Sequence, residues 1–93
     1  MIYEWNSGKA AQNKRKHGVS FEEAITVFAD PLARVFGDNE HSSDERREII
    51  IGHSSRRHLM LVSFTGIDDR LRILSARNAT RAERKDYEEN IGP

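Results

Sequence analysis

The sequence predicts an α+β domain: an antiparallel β-sheet with two N-terminal helices and one C-terminal helix. Three observations lead there. Helix caps and a 3.6-residue apolar period occupy the first thirty residues. The period then shifts toward two, with β-branched runs separated by short polar turns. A second capping box reappears near the C-terminus. A chain of 93 residues suits one compact unit, so residues 1–93 read as a single domain.

The elements follow in order. Tyr3 to Trp5 is a short aromatic-rich run that fits a first edge strand. Ser7 is the expected cap of a helix over Gly8–His17, which Gly18 stops in the left-handed conformation that glycine favours. Lys14, Arg15, Lys16 and His17 crowd its last turn, where cations complement the helix dipole. Ser20 and Glu23 form a capping box for a second helix. Its residues Phe21, Ala24, Ile25 and Phe28 share one face, and Asp30-Pro31 ends it because helical geometry is disfavoured before proline. Leu32–Gly37 reads as a strand, followed by a polar loop from Asp38 to Asp44. Strands are then expected over Glu45–His53, His58–Thr65 and Arg70–Arg77, joined by turns at 54–57 and 66–69. Such spacing describes an antiparallel meander. Thr80 and Glu83 open the last helix, which runs to about Asn90. The order β-α-α-β-β-β-β-α places the helices on one sheet face. Trp5 and Phe28 are expected in the core.

Composition excludes several classes. There are no cysteines, hence neither disulfides nor a thiolate metal site or nucleophile. No apolar run approaches the ~20 residues that cross a bilayer. Met1–Asn6 lacks a basic segment leading into an apolar one, so the expectation is a soluble, cytoplasmic protein. Net charge is zero, with 15 basic and 15 acidic residues, which gives no global signal for nucleic acid. The distribution differs. Between Arg46 and Lys85 lie ten basic residues against four acidic ones, and nine of the ten are arginine. Arginine presents a planar fork that matches phosphate, although a solvated, salt-bridged surface has the same composition.

No glycine-rich phosphate loop, His-Glu-x-x-His or nucleophile elbow is present. Asp38, His41, Asp44 and His53 scatter around one loop without a metal-ligand spacing, so neither metal nor cofactor is expected. What remains is an arginine-rich meander beside a basic helix end, suited to holding an RNA backbone. Cleaving RNA requires a base near the 2′-hydroxyl, charge stabilisation at the phosphate and a proton for the leaving oxygen. Arginine serves the second role and stays protonated, so proton transfer falls to His17, Glu45 or Tyr87, with Lys14 and Lys16 behind them.

Several segments bring a known family into view. Lys16-His17-Gly18-Val19-Ser20-Phe21-Glu22-Glu23-Ala24, closing on Val27-Phe28-Ala29-Asp30-Pro31, resembles the N-terminal signature of BrnT-type toxins. Tyr3-Glu4-Trp5 is similar to their opening segment, and Glu45-Arg46 with Ile51-Gly52-His53-Ser54 to their middle motif. Arg72-Ile73-Leu74-Ser75-Ala76-Arg77, continued by Ala79-Thr80, Glu83-Arg84 and Tyr87-Glu88, resembles the third. The resemblance implies a RelE-like fold and metal-independent RNA cleavage. It also implies a BrnA-like ribbon-helix-helix antitoxin, with a toxin–antitoxin heterotetramer that binds operator DNA. Two departures stand out: residues 65–69 lack the family's arginine-glycine, and Arg47 replaces a residue that is often aromatic or apolar.

The candidate catalytic residues are therefore Arg77, Arg46, Glu45, His17 and Arg72, with Lys14, Lys16, Arg57 and Tyr87 as RNA contacts. Each has a plainer role. Arg77 can pair with Glu83, Arg46 and Glu45 can form surface ion pairs, His17 can cap its helix, and Tyr87 can pack its ring on the sheet. His53 and His58 flank a turn and read as incidental. The function expected is an endoribonuclease toxin that arrests translation and growth. The alternative is a non-catalytic module using the same basic face for nucleic acid or protein, since holding and cleaving phosphate draw on the same arginines.

Overall fold

The computed structural model describes residues 2–38 and 46–90. Five strands form one sheet: β1 (Ile2–Glu4), β2 (Arg34–Gly37), β3 (Arg47–His53), β4 (Leu59–Ile67) and β5 (Arg70–Asn78), in the spatial order β1-β5-β4-β3-β2. β2 to β5 are antiparallel neighbours, as the short turns require, whereas β1 lies parallel to β5. Helices α1 (Ser7–His17), α2 (Phe21–Ala24) and α3 (Arg81–Asn90) complete the α+β fold.

The caps hold with two changes. Asn6, not Ser7, caps α1, its Oδ1 accepting from Lys9 N at 3.0 Å. Gly18 ends it at φ 71°, a conformation that glycine adopts without strain. The second predicted helix is α2 followed by a 3₁₀ turn over Ile25–Ala29. There Thr26 Oγ1 donates to Glu23 O at 2.6 Å, and the β-branched run Ile25-Thr26-Val27 is poorly suited to a longer α-helix. At α3 the capping box closes in both directions: Glu23's counterpart Glu83 donates its N–H to Thr80 Oγ1 at 3.1 Å and accepts Thr80 N–H on Oε1 at 2.9 Å.

The helices do not share one sheet face. α1, α2 and the 3₁₀ turn cover a core of Val19, Phe21, Ala24, Val27, Ile50, Met60, Val62, Phe64, Ile73 and Ala76. Trp5 and Phe28 are half-buried against it, in edge-on ring contact with Phe21 at 5.9 Å and Phe64 at 5.1 Å respectively. α3 instead packs Tyr87 against Ile51, Leu59 and Leu61. In β4 Leu61 alternates with Met60 and Val62, so it faces the other way. The prediction of one covered face fails because β3 and β4 are apolar on both faces near the 54–57 turn, and each face needs its own cover.

Two local features explain sequence choices. β1 is short, and beyond Arg72 its side of β5 is bare. Asn13 of α1, only 7% exposed, fills that gap: its Nδ2 donates to Ala76 O (2.8 Å) and Val19 O (3.1 Å), and its Oδ1 accepts Ala76 N–H (3.1 Å). One side-chain amide thus stands in for a strand. Gly52 lies where the 30–33 segment crosses β3; a Cβ there would meet Ala33 Cβ at 2.8 Å and Asp30 Oδ2 at 3.0 Å.

Candidate RNA-binding face and active site

Strand register decides which side chains share the face opposite α1, because paired residues on neighbouring strands point the same way. Glu4, Arg72, Thr65 and Arg47 form one row across β1, β5, β4 and β3. Ser75, Ser63, Ile49 and Phe36 form the next, after a bulge at Ser63/Phe64. Arg77, Leu61, Ile51 and Arg34 form the third. At a strand spacing of about 4.8 Å, a row of four spans roughly 14 Å, the scale of a dinucleotide. α3 covers the end of this face at the third row, and the serine and Arg72 rows lie outside its apolar contact with the sheet.

The arginines are held rather than loose. Glu4 anchors two of them, Oε2 accepting from Arg72 Nη2 at 3.2 Å and Oε1 lying 3.3 Å from Arg70 Nη1. Arg77 makes a two-pronged contact with Glu83, Nη1–Oε1 at 2.7 Å and Nη2–Oε2 at 2.8 Å. The Glu83 hydrogen bonds raise the Arg77 guanidinium's already high pKa further. In return Arg77, aided by Thr80 and outweighing burial, holds the Glu83 carboxyl down to about 2. Both partners stay charged at any physiological pH, and the fork of Arg77 is oriented before any ligand arrives.

The sequence-derived candidates fall into distinct places. Arg72 and Arg77 share the open face, two rows apart. Arg46 is exposed just before β3, its carbonyl accepting from Thr65 Oγ1, and its neighbour Arg47 is the residue in the arginine row. His17 and Lys16 line a hollow of about 380 Å³ with Leu74 and Ser75, at the bare side of β5. Lys14 lines a different hollow with Glu23, Arg56 and His58. Arg57 sits in the β3–β4 turn with φ 66°, at the strand end far from Arg72 and Arg47. Tyr87, expected as an RNA contact, is 2% exposed; its hydroxyl donates to Leu32 O at 3.0 Å. Burial, then the nearby Asp30 carboxylate, pushes its phenol further up, so the structure places Tyr87 in the core. Glu45, with His41 and Asp44, lies outside the described residues.

Arg47, Arg34 and the Ser63–Ser75 pair escaped the sequence reading. The signal was the parity of β3: Arg47 shares its alternation with Ile49 and Ile51, so all three face one way. His53 and His58 are not incidental either. His58 Nδ1 and Ser54 Oγ both lie 2.7 Å from Glu23 Oε2, which ties α2 to the β3–β4 turn. Burial opposes ionisation of Glu23, but those two hydrogen bonds bring its carboxyl below the ordinary range. Asp30 is likewise lowered despite burial, accepting His53 N–H at 2.7 Å and Leu32 N–H at 2.9 Å. Among the described residues no group of three or more His, Cys, Asp or Glu side chains gathers as a metal site would. No helix among them is long and apolar enough to cross a membrane.

Comparison with known proteins adds two findings. The family model described as the ribonuclease toxin BrnT of type II toxin–antitoxin systems matches residues 5–83. The crystal structure of the Brucella abortus ribonuclease toxin BrnT superposes with a TM-score of 0.66 at 22% identity. That match covers 87% of this chain and all of the other, and shows a shared fold. A search of curated proteins gives no match.

Proposed function

This chain belongs to the BrnT family of ribonuclease toxins of type II toxin–antitoxin systems, and we propose that it cuts RNA on the open sheet face, without a metal, by attack of the 2′-hydroxyl. One observation carries the reading. Arg72 and Arg47 lie in one row and Arg77 two rows away, around the Ser63–Ser75 pair, on a face most of which the helices leave open. Guanidiniums at strand spacing are placed to hold adjacent phosphates and to stabilise the charge that builds on the one being cleaved.

In this mechanism the 2′-oxygen bonds to phosphorus and the bond from phosphorus to the 5′-oxygen breaks, the departing 5′-oxygen taking a proton from water, which leaves a 2′,3′-cyclic phosphate and a 5′-hydroxyl. Arg72 and Arg77 neutralise the intermediate charge. His17, at the β5 edge beside Ser75, is the described candidate for taking the 2′-hydroxyl proton; Glu45 is the other. Lys16 and Arg46 extend the phosphate track at its borders. The toxin acts in the cytoplasm, where RNA cleavage arrests translation. A ribbon-helix-helix antitoxin of the BrnA type neutralises it, in a heterotetramer that binds operator DNA.

The test is the purified chain alone with a defined single-stranded RNA, with and without EDTA. Fragments ending in 2′,3′-cyclic phosphate, formed equally in EDTA, are the expected result. Loss of cleavage on chelation would overturn the metal-free step. Induced expression in a growing bacterium separates enzyme from binding module: growth arrest with fragmented RNA supports the first, and normal growth the second.

A further inference from the structure

Among the described residues, four large hydrophobics are strongly exposed, and three of them are Leu32 (56%), Val35 (53%) and Phe36 (48%). All three lie on or just before β2, the last strand of the sheet, whose outer edge no described strand pairs. Beside it runs a groove of about 650 Å³ between β2 and α3, floored by Phe36, Ile51 and Leu61. A free edge with exposed apolar side chains is a liability that proteins cover, and an added strand is the direct way to cover it.

We propose that this edge and groove are the docking site of the antitoxin, through an extended acidic and apolar segment that adds a strand to β2. The partner's existence rests on the family assignment; its chemistry comes from the groove. Arg34 flanks Phe36 on the same face and lines the groove. The carboxylates on the α3 wall are already engaged, Glu83 by Arg77 and Asp86 by the Asn90 amide. Apolar side chains of the added strand enter the groove over Phe36, Ile51 and Leu61, and its acidic ones meet Arg34. The third row runs on from Arg34 through Ile51 and Leu61 to Arg77, so a segment seated here borders the proposed RNA site from the β2 side. An RNA strand has no use for the exposed Leu32, or for Val35, which shares the opposite face with Ile50.

The experiment measures binding of the purified antitoxin of the same pair to the wild-type chain and to Phe36→Asp and Leu32→Asp, with RNA cleavage by each free variant as control. Antitoxin affinity should fall about 30–100-fold for Phe36→Asp and less for Leu32→Asp, and Leu32→Asp, which stands in no row of the RNA face, should keep cleavage at the wild-type level. In the wild-type chain, amide hydrogen exchange across residues 34–37 should slow on adding antitoxin, a readout that needs no variant. Unchanged affinity and unchanged exchange would overturn the proposal. Lost cleavage with intact antitoxin binding would make the groove an RNA subsite instead, and altered self-association of the free chain would make it a dimer surface. A wild-type chain that binds antitoxin at β2 yet cuts no RNA would leave the docking site standing and remove the nuclease reading.

Discussion

On the sheet face beneath α1 and α2, a typical row reads Val35, Ile50, Val62, Ala76, and from Ile50 inward every member is buried. On the opposite face, one residue along, the row reads Arg34, Ile51, Leu61, Arg77, and beyond it come Ser75 with Ser63 and Arg72 with Arg47. The same strands in the same register thus build a hydrocarbon core on one side and a rack of guanidiniums on the other. Alternation of side chains makes the two faces independent in composition. It should also make them independent in consequence: damage to the covered face should cost stability, and damage to the open face activity.

The sharpest way to break that division is on the open face. Arg77→Ala or Arg72→Ala should lower RNA cleavage by about 10²–10³-fold, the usual loss when one donor to a developing charge is removed. Circular dichroism should not change, and stability in urea should fall by no more than about 1 kcal/mol, the share of the Arg77–Glu83 pair, since neither side chain fills the core. Toxicity on expression should vanish for Arg77→Ala. Full activity in both variants would show that the arginine rows are a solvated surface and nothing more.

The converse test is Asn13→Ala. It leaves the Ala76 N–H and C=O and the Val19 carbonyl without a partner in a buried place. Each such group costs on the order of 1–3 kcal/mol when desolvated, and partial access of water should bring the total to about 2–3 kcal/mol. Urea unfolding would measure it. Cleavage per folded molecule should be unchanged; if it falls with stability intact, Asn13 also positions His17 beside Ser75 in the hollow they share.

How much of this was legible beforehand follows the same division. The covered face is readable because its residues announce themselves locally: Phe21, Ala24 and Phe28 at helical spacing, and short apolar runs bounded by turns through β3 and β4. Gly18 and the Thr80–Glu83 box likewise carry their reason in local chemistry. The open face was half readable. Arg72 and Arg77 stand out in the arginine cluster and the family motif, yet simple alternation sets them on opposite faces, and only the bulge at Ser63/Phe64 brings both to one. Arg46 is favoured over Arg47 because the expected β3 starts two residues early. Tyr87 was ambiguous, since an amphipathic aromatic on a charged helix suits a core or a surface equally, and only α3 docking decides. Asn13 gave no signal at all, because its partners lie 63 residues away. Long-range backbone satisfaction is invisible to periodicity.

A smaller effect on the covered side comes from Gly52→Ala. The new methyl would press on Ala33 Cβ and on Asp30 Oδ2, which itself holds the His53 amide. Overpacking of this kind typically costs about 1–3 kcal/mol, and since Ala33 Cβ moves only with its backbone while two amides hold Asp30, the middle of that range is expected. Thermal or urea unfolding would show it, with cleavage again unaffected. A neutral result would mean that the 30–33 segment rides freely over β3.

The smallest effect tests whether the open face contributes to stability at all. Glu83 titrates at about 2 in the folded chain against an ordinary 4.5. A depressed carboxyl stabilises the fold above the unfolded value, so its contribution is whole above pH 4.5 and disappears as pH falls toward 2. The side chains of Glu83 and Arg77 are 31% and 40% exposed, so solvent screening reduces the contribution to about 1 kcal/mol. Glu23 and Asp30, also lowered, lose their own shares in acid, so the wild-type curve alone does not isolate Glu83. The difference between wild type and Glu83→Gln does. It should be about 1 kcal/mol at pH 6 and close to zero at pH 2, by urea unfolding at each pH. A gap that persists unchanged to pH 2 would mean that Glu83 acts through the Thr80 cap alone, and that Arg77 is free of it and available in full to the substrate.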